Sequence, residues 1–262
     1  MESLGEILAK KTISGNTETS ESKTCPDCGM SLTPTRQAML NRVIWVYPTC
    51  DCERRRLEAE RQADAEARHR ETVTRLLNVS GLGRRFIGKT FANFRIRPGT
   101  EEAYALARDY ADRFDHETAQ GLLFLGNPGS GKTHLVSAIV HQLIEREISC
   151  QCWNVPHLLT TIRSTFNRRS EEQDNEAEIR DRISRTRLLV LDDVGTEKVT
   201  DWVQTTLYDI INQRYEAMRP VIFTTNCSID EIEEKIGEKT VSRILEMADL
   251  KEIVSPDYRK LR

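Results

Sequence analysis

The stretch GLLFLGNPGSGKTHL, residues 121–135, decides the fold. An apolar run typical of a buried strand leads into G-x-x-x-x-G-K-[ST] at residues 126–133, and an amphipathic helical pattern follows. Glycines let backbone N–H groups turn inward around phosphates, and the helix N-terminus adds partial positive charge. A glycine-rich turn without a ligand is the alternative, but the flanking strand and helix favour a phosphate loop.

The predicted nucleotide contacts come from this loop and from the first helical turn after it. Lys132 is expected to reach the terminal phosphates, and the Thr133 hydroxyl to complete the coordination of Mg²⁺. His134 is expected to be a first-turn helix residue without a catalytic role. The full predicted set is Gly126, Asn127, Pro128, Gly129, Ser130, Gly131, Lys132, Thr133 and His134.

Strand-like and helical patterns alternate from about residue 80 onward. The nearly continuous apolar runs are GLLFLG, SCQCWNV, RLLVLDD, PVIFTTN and LKEIV, with helical patterns between them. Strands that are buried on both faces have such continuous apolar runs, and their alternation with helices is typical of a parallel sheet. The predicted fold class is therefore α/β, with a parallel sheet flanked by helices.

Polar side chains follow two of these predicted strands. Asp192 and Asp193 come directly after RLLVL, and a carboxylate at the carboxyl end of a strand beside a phosphate loop can hold Mg²⁺ through water. We assign this role to Asp192, while Asp193 could orient or deprotonate the attacking water. Asn226 ends PVIFTTN and could place an amide near the γ-phosphate. A capped turn is the alternative for the Asp pair, and ordinary turn chemistry for Asn226.

Length and composition limit the function classes. The chain of 262 residues can form one α/β core plus a small module. The formal net charge is −3, so any contact with nucleic acid must come from local basic patches. No apolar run approaches the roughly 18 residues that span a bilayer, and the N-terminus lacks a signal-peptide core. We therefore expect a soluble cytoplasmic protein without membrane contact.

The cysteines indicate a metal site. An odd count of seven without a secretion signal argues against a disulfide framework. The pairs Cys25-x-x-Cys28 and Cys50-x-Cys52 can bring four sulfurs to one tetrahedral centre, the geometry that Zn²⁺ accepts. The metal would supply folding free energy to a segment too small to fold alone. Idle or redox-active thiols and an iron–sulfur cluster are the alternatives. The remaining cysteines, Cys150, Cys152 and Cys227, are predicted to be ordinary packing residues.

Four regions are predicted along the chain. Residues 1–23 are polar and are expected to form a mobile arm. Residues 24–52 hold the two cysteine pairs and form the zinc-binding module. Residues 53–85 begin with a Glu-, Ala- and Arg-rich segment whose opposite charges lie three or four apart, which predicts a charged helical linker with a solvated face. Residues 86–262 form the nucleotide-binding domain.

The ordered set of motifs resembles the AAA+ ATPases. The resemblance is closest to bacterial replicative-helicase loaders of the DnaC and DnaI kind and to the related IstB transposition ATPases, and it covers about residues 86–262. It begins at KTFANFRI, which is similar to the lead-in of that family. It continues through GNPGSGKTHL, LLVLDDVGTEK, RPVIFTTN, GEKTVSRI and DYRK. The resemblance implies an ATPase that uses ATP and Mg²⁺.

Residue roles follow from the resemblance. Asp193 stands where many AAA+ enzymes carry a catalytic Glu and is one methylene shorter, so slow hydrolysis that responds to DNA is expected. Asn226 is similar to the first sensor and Arg259 to the second. Arg243 is similar to the arginine finger, which acts in trans on the γ-phosphate of a neighbouring subunit. A surface salt bridge is the alternative for either arginine. The implied catalytic set is Lys132, Asp192, Asp193, Asn226, Arg243 and Arg259. No helical lid domain is expected after Arg259, so the adjacent subunit would close the pocket.

Single-stranded DNA is the further partner that the resemblance implies. An aromatic side chain among arginines suits base stacking and phosphate binding, and RSTFNRR offers this combination around Phe166. A second loop just past the acidic strand is also expected to face DNA. The residues concerned are Arg163, Phe166, Arg168 and Arg169 in the first stretch and Lys198, Thr200 and Trp202 in the second. The alternative is that Phe166 and Trp202 are half-buried helix residues.

Three functions fit these motifs. The leading one is an ATP-dependent loader that grips a hexameric replicative helicase through its N-terminal region and places it on single-stranded DNA. The second is an IstB-like ATPase helper of DNA transposition. The third is an ATP-gated adaptor with negligible hydrolysis, a hypothesis that rests on Asp193 at the position of the usual Glu. The zinc module favours the loader, because it resembles the N-terminal domain of DnaI-like loaders.

Overall fold

The computed structural model describes residues 21–39, 42–115, 117, 120–165 and 175–260. These residues fall into two compact units, one ending at Arg68 and the other beginning at His69. The boundary lies within a single long helix, α1, which spans Asp51–Val79. This helix confirms the one predicted for the charged segment. Most of its side chains are exposed, and only Val73 and Leu76 are buried.

The amino-terminal unit contains two short antiparallel ribbons. Strand β1 (Lys23–Thr24) pairs with β2 (Ser31–Leu32), and β3 (Thr35–Met39) pairs with β4 (Arg42–Val46). Between β1 and β2 the chain turns tightly, since the N–H of Cys25 donates to Met30 O at 2.8 Å. This turn places the first cysteine pair opposite the start of α1.

The second unit is built on a parallel sheet of five strands. The strands are β5 (Gly121–Gly126), β6 (Cys150–Asn154), β7 (Leu188–Asp192), β8 (Val221–Thr225) and β9 (Ala248–Ile253). Their order across the sheet is β6-β7-β8-β5-β9, and every neighbouring pair is parallel. All five apolar runs that predicted strands therefore form strands, and all their carboxyl ends lie at one edge.

Helices cover both faces of this sheet. They are α2 (Glu101–Arg113), α3 (Lys132–Glu145), α4 (Val155–Thr165), α5 (Glu176–Arg185), α6 (Asp201–Glu216), α7 (Ile229–Ile236) and α8 (Glu238–Met247). Two 3₁₀ turns, Phe91–Asn93 and Tyr258–Lys260, lie before α2 and after β9. The predicted α/β architecture is confirmed.

Two apolar cores separate the helices from the sheet. Successive side chains of β5 alternate between them, because Phe124 packs in the core beneath α2 and α3, whereas Leu123 packs in the core beneath α4 to α8. Burying one such side chain contributes about 1.5–3 kcal/mol. Cys150 and Cys152 belong to the first core, as predicted. Among the described residues, no helix has the length and apolar character required to cross a membrane.

Candidate nucleotide site and metal centre

The candidate nucleotide site lies at the carboxyl edge of the parallel sheet. Strand β5 ends in the phosphate loop and lies beside β8, which in turn lies beside β7 and its terminal Asp192. The register pairs Asn154 with Asp192 across β6 and β7. The strand order therefore brings together polar groups that follow or end four strands, including four of the predicted catalytic residues, Lys132, Asp192, Asp193 and Asn226.

The glycines of the loop are required by its conformation. Gly129 and Gly131 have φ angles of +79° and +111°, where a side chain is disfavoured. A Cβ atom on Gly131 would lie 3.1 Å from the ring of Phe94, and one on Gly129 would collide with the carboxylate of Asp257. The sequence motif therefore reflects close approach of neighbouring groups as well as backbone freedom.

The backbone of the loop offers unpaired donors. Within the described residues, the N–H groups of Gly129, Gly131, Lys132 and Thr133 make no hydrogen bond. The first N–H groups of a helix have no partner inside the helix, and α3 begins at Lys132. A row of free N–H groups at a positive helix end fits an anionic ligand such as a phosphate group.

Lys132 lies inside the loop and is only 5% exposed. Its ammonium donates to Gly126 O at 2.6 Å, to Asn127 O at 3.1 Å and to Asn226 Oδ1 at 2.7 Å. Burial lowers the pKa of Lys132, while the nearby carboxylates of Asp193 and Asp192 act in the opposite direction. The charge thus lies at the centre of the loop, next to the amide from the end of β8.

Asp192 receives two hydroxyl hydrogen bonds. Thr133 Oγ1 donates to its Oδ1 at 3.1 Å, and Thr224 Oγ1 donates to the same oxygen at 2.6 Å. Burial raises the pKa of Asp192, and the hydrogen bond from Thr224 opposes this shift. The Thr133 hydroxyl and the Asp192 carboxylate are thereby held side by side, as oxygen ligands for Mg²⁺ must be.

Asp193 is held between two amides. Asn154 Nδ2 donates to its Oδ2 at 3.2 Å, and Asn226 Nδ2 lies 3.4 Å from its Oδ1. Its backbone is left-handed, with φ of +62°, and its N–H donates to Thr224 Oγ1 at 3.0 Å. No role is predicted for Asn154 or Thr224. The strand-end rule that identifies Asp192 and Asn226 also applies to Asn154, because Asn154 is the last residue of β6 and the last but one of the run SCQCWNV.

His134 and Arg259 lie on different elements near the loop. His134 is in the first turn of α3, where its Nε2 lies 3.0 Å from Thr90 O and its ring packs edge-on against Phe94. Arg259 lies in the turn after β9, with 63% of its side chain exposed, and its Nε is 3.5 Å from Asp257 Oδ1. The charge of Arg259 is close enough to contribute to the lowered pKa of Lys132, after the larger effect of burial.

Arg243 lies on α8 and points to α6. Its Nε donates to Asn212 Oδ1 at 2.6 Å, and its guanidinium packs over the rings of Tyr208 and Tyr215. In the part of the chain that the structure describes, Arg243 makes no hydrogen bond to the phosphate loop. The role of Arg243 as an arginine finger in trans stays a prediction.

The family described as IstB-like ATP binding protein matches residues 53–260. The chain belongs to the IstB-like ATP-binding family. This family membership identifies an AAA+ ATPase, and the loop, the acidic pair and the Asn226 amide described above lie within the matched residues.

Named proteins are similar to this chain in sequence or in fold. The replicative helicase loader DnaC of Escherichia coli K12 is 28% identical over 173 residues, which cover 66% of this chain and 69% of DnaC. A crystal structure of the DnaC helicase loader is 26% identical with a TM-score of 0.59, and the match covers 65% of this chain and 99% of that one. A crystal structure of DnaI, 22% identical with a TM-score of 0.58 over 70% of this chain and 98% of that one, shares the fold.

The four N-terminal cysteines come together as predicted. The sulfurs of Cys25, Cys28, Cys50 and Cys52 all lie within 4.8 Å of one another. The separation is 3.4 Å between the sulfurs of Cys25 and Cys50, and 3.0 Å between those of Cys50 and Cys52. Four sulfurs about 2.3 Å from a tetrahedral Zn²⁺ lie just under 4 Å apart, so this donor set fits zinc.

The predicted DNA-contact residues lie partly inside and partly outside the described residues. Phe166, Arg168 and Arg169 lie outside the described residues. Lys198 and Thr200 are exposed in the loop before α6, but Trp202 lies in the first turn of that helix and is partly buried against the second core. The loop predicted to include Trp202 therefore ends earlier, because the Thr200 hydroxyl accepts a hydrogen bond from Val203 N and caps α6.

Proposed function

We propose that this protein is an ATP-dependent loader that places a hexameric replicative DNA helicase on single-stranded DNA. The observation that carries the proposal is the similarity to the replicative helicase loader DnaC in both sequence and fold. The four-cysteine module supports it, because the module lies outside the ATPase motifs and offers a separate surface for a protein partner.

In this proposal the phosphate loop holds ATP. Lys132 donates to carbonyl and amide oxygens, and phosphate oxygens are stronger acceptors because they are anionic. The Thr133 hydroxyl would bind Mg²⁺ directly, and Asp192 would hold it through water. Bound Mg²⁺ would neutralise charge on the terminal phosphates. The remaining loop residues, Gly126 to Gly131 and His134, would surround the nucleotide.

Hydrolysis would depend on Asp193 and Asn226. Asp193 would orient or deprotonate the attacking water, and Asn226 would act as the first sensor beside the γ-phosphate. Both carboxylate oxygens of Asp193 lie within 3.2–3.4 Å of amide nitrogens, which lowers their availability to a water molecule. We therefore expect slow turnover that responds to DNA.

Self-association would complete the site. Arg243 would act in trans as the arginine finger, and Arg259 would act in cis as the second sensor. The packing of Arg243 over the rings of Tyr208 and Tyr215 supports a fixed position for its guanidinium, as a finger requires.

The N-terminal region would bind the helicase. A zinc-binding module at residues 24–52 would form the contact, and residues 53–85 would link it to an ATPase domain at residues 86–262. The zinc would act structurally, because four thiolates leave no open coordination position for catalysis. Residues 1–20 of the predicted arm lie outside the described residues, and Lys23, at its end, belongs to β1.

Single-stranded DNA would bind at two stretches on the ATPase domain. Lys198 and Thr200 are exposed beside α6, and the guanidinium of Arg163 lies 5.9 Å from the centre of the Trp202 ring. Phe166, Arg168 and Arg169 would add base stacking and phosphate contacts. This arrangement would place aromatic and basic groups near one another.

The test uses the full chain and the hexameric replicative helicase of its host. Immobilised wild-type protein should retain the helicase, and Cys50→Ser should lose it while still binding ATP. Cys227→Ser is the matched control, because Cys227 is a half-buried thiol outside the four-cysteine cluster. Helicase loading is then measured as unwinding of a forked substrate coated with single-strand binding protein. If Cys50→Ser captures and loads the helicase like wild type, the zinc module is not the contact.

A transposition helper is the second candidate, and the IstB-like family match favours it. Such a protein would assemble on duplex DNA in the presence of ATP and would ignore the helicase. Electron microscopy of the ATP-bound protein on duplex and single-stranded DNA separates the two functions. ATP-dependent filaments on duplex DNA, together with no helicase capture, would reject the loader.

A further inference from the structure

Arg97 joins two segments that flank the nucleotide site. It lies in the loop before α2 and is half-buried. One guanidinium nitrogen, Nη2, is 3.5 Å from Gly129 O and donates to Ser130 O at 3.3 Å. The other, Nη1, donates to Pro256 O at 2.8 Å. A single side chain therefore binds both the phosphate loop and the turn that follows β9.

The backbone around Arg97 is also fixed. Its N–H donates to Thr100 Oγ1 at 2.8 Å, and Thr100 is fully buried. Two residues further on, Gly99 has a φ angle of +84° and packs so closely on Val254 O that a Cβ atom would collide with it. The guanidinium is thus presented from a rigid base.

The turn after β9 contacts the phosphate loop directly as well. Tyr258 N donates to Gly129 O at 3.1 Å, and the guanidinium of Arg97 lies over the Tyr258 ring, 5.2 Å from its centre. Asp257 packs against Gly129, and its carboxylate accepts from Arg259 N at 2.9 Å. Arg259 therefore belongs to a turn whose position depends on Gly129 and Arg97.

The direction of these hydrogen bonds has a chemical consequence. Where a peptide N–H of a phosphate loop points inward to an anion, the carbonyl oxygen of the same peptide points outward. The carbonyl oxygens of Gly129 and Ser130 carry partial negative charge on the side of the loop that faces Arg97, and the Arg97 guanidinium binds them there. Charge-assisted hydrogen bonds of this kind are about twice as strong as neutral ones.

We propose that Arg97 is a positioning residue for ATP binding and hydrolysis. It holds the loop carbonyls outward, and with the same guanidinium it fixes the turn that carries Arg259. ATP binding and the placement of Arg259 are thereby coupled through one side chain. The second half of this inference rests on the proposed role of Arg259, whereas the first half requires only that the loop binds ATP.

The experiment compares Arg97→Gln with Arg97→Lys and with Arg95→Gln in the full chain. Arg95 is exposed, two residues away, and makes no hydrogen bond within the described residues, so it is the matched control. ATP affinity is measured with a fluorescent ATP analogue, kcat and KM by phosphate release, and folding by thermal melting. Arg97→Gln should weaken ATP binding about tenfold, the equivalent of one charge-assisted hydrogen bond. Arg97→Lys should fall in between, because an ammonium cannot bridge both segments.

Coupling is measured by combining Arg97→Gln with Arg259→Gln. If Arg97 acts through the turn, the double variant should lose little more kcat than Arg259→Gln alone. Hydrogen exchange of residues 255–260 should also increase in Arg97→Gln and stay unchanged in Arg95→Gln. Multiplied losses of kcat in the double variant would overturn the coupling.

The outcomes also separate this inference from the proposed function. An Arg97→Gln variant that melts earlier but keeps wild-type ATP affinity and kcat would reduce Arg97 to a structural brace and overturn the inference. If Arg259→Gln leaves kcat unchanged while Arg97→Gln weakens ATP binding, the sensor role and the coupling fail. Only the first half of the inference would then remain, in which Arg97 orients the carbonyl groups of Gly129 and Ser130.

Discussion

Replacing Thr224 by Val tests how the sheet prepares its metal-binding carboxylate. Thr224 is fully buried, donates to Asp192 Oδ1 at 2.6 Å and accepts from Asp193 N at 3.0 Å. Valine has nearly the same shape but neither donates nor accepts. The bond to the carboxylate contributes about 1.5–3 kcal/mol and the neutral bond about 1 kcal/mol, so Thr224→Val should destabilise the fold by about 3 kcal/mol.

Thr225→Val is the matched control. Thr225 is equally buried, donates to Val194 O at 2.8 Å and accepts from Cys227 N at 3.0 Å. It loses two neutral hydrogen bonds, so about 2 kcal/mol is expected. Urea unfolding, followed by the fluorescence of Trp153 and Trp202, gives both values.

The two variants should differ more in their response to metal and pH. The hydrogen bond from Thr224 lowers the pKa of Asp192 against the effect of burial, so its loss raises that pKa further. On acidification, Thr224→Val should lose ATPase activity at a higher pH than wild type. Below the raised pKa of Asp192 it should need more Mg²⁺ than wild type, by about tenfold if about 1.4 kcal/mol of the lost bond supported the ionised carboxylate. Equal stability losses and identical Mg²⁺ and pH profiles for both variants would refute the reasoning.

Three further predictions concern charge and metal. Burial raises the pKa of Asp192, so the folded chain loses stability as the pH rises through the titration of this carboxyl group. Asp192→Asn should remove this loss, so at neutral pH the variant should unfold at a higher urea concentration than wild type, and it should have no ATPase activity. Arg214 is 1% exposed and donates to five backbone carbonyls. Arg214→Met should therefore lower the free energy of unfolding in urea by about 3–5 kcal/mol. The control Arg187→Met, at an exposed position, should lower it by about 0.5 kcal/mol or less. A chelator should release Zn²⁺ from wild type and lower its melting temperature, and Cys50→Ser should contain no Zn²⁺; a metal-free wild type with unchanged melting would contradict the zinc assignment.

The parts of the fold that were predicted depend on neighbours along the chain. The phosphate loop was recognisable because its strand, glycines, Lys132 and helix follow one another within residues 121–135. Four of the five strands were recognisable because burial on both faces leaves continuous apolar runs, whereas β9 is an edge strand with exposed residues and gives the weaker run LKEIV. Asp192 and Asn226 were found because each closely follows such a run. These requirements are local, so a sequence displays them.

The parts that were missed depend on strand order and on distant segments. Asn154 is recognisable as a strand-end residue, but its contact with Asp193 depends on β6 lying beside β7, and nothing within SCQCWNV specifies that neighbour. Arg97 is separated from Pro256 by 159 residues, so no local pattern links them. Trp202 was different, since a local signal existed: Thr200 followed by an acidic residue is a typical helix start.

The backbone at Asp193 offers a physical reason for its departure from the Glu of many AAA+ enzymes. Its φ of +62° lies in the left-handed region, which costs most residues about 1 kcal/mol or more and which short polar side chains such as Asp tolerate best. At this φ the N–H of Asp193 reaches Thr224, and its carboxylate lies between the amides of Asn154 and Asn226. Glu tolerates this left-handed backbone less well than Asp, and its longer side chain would carry the carboxylate beyond the two amides. The shorter side chain is therefore the one that suits this strand end, and the same fit restrains the group that would activate water.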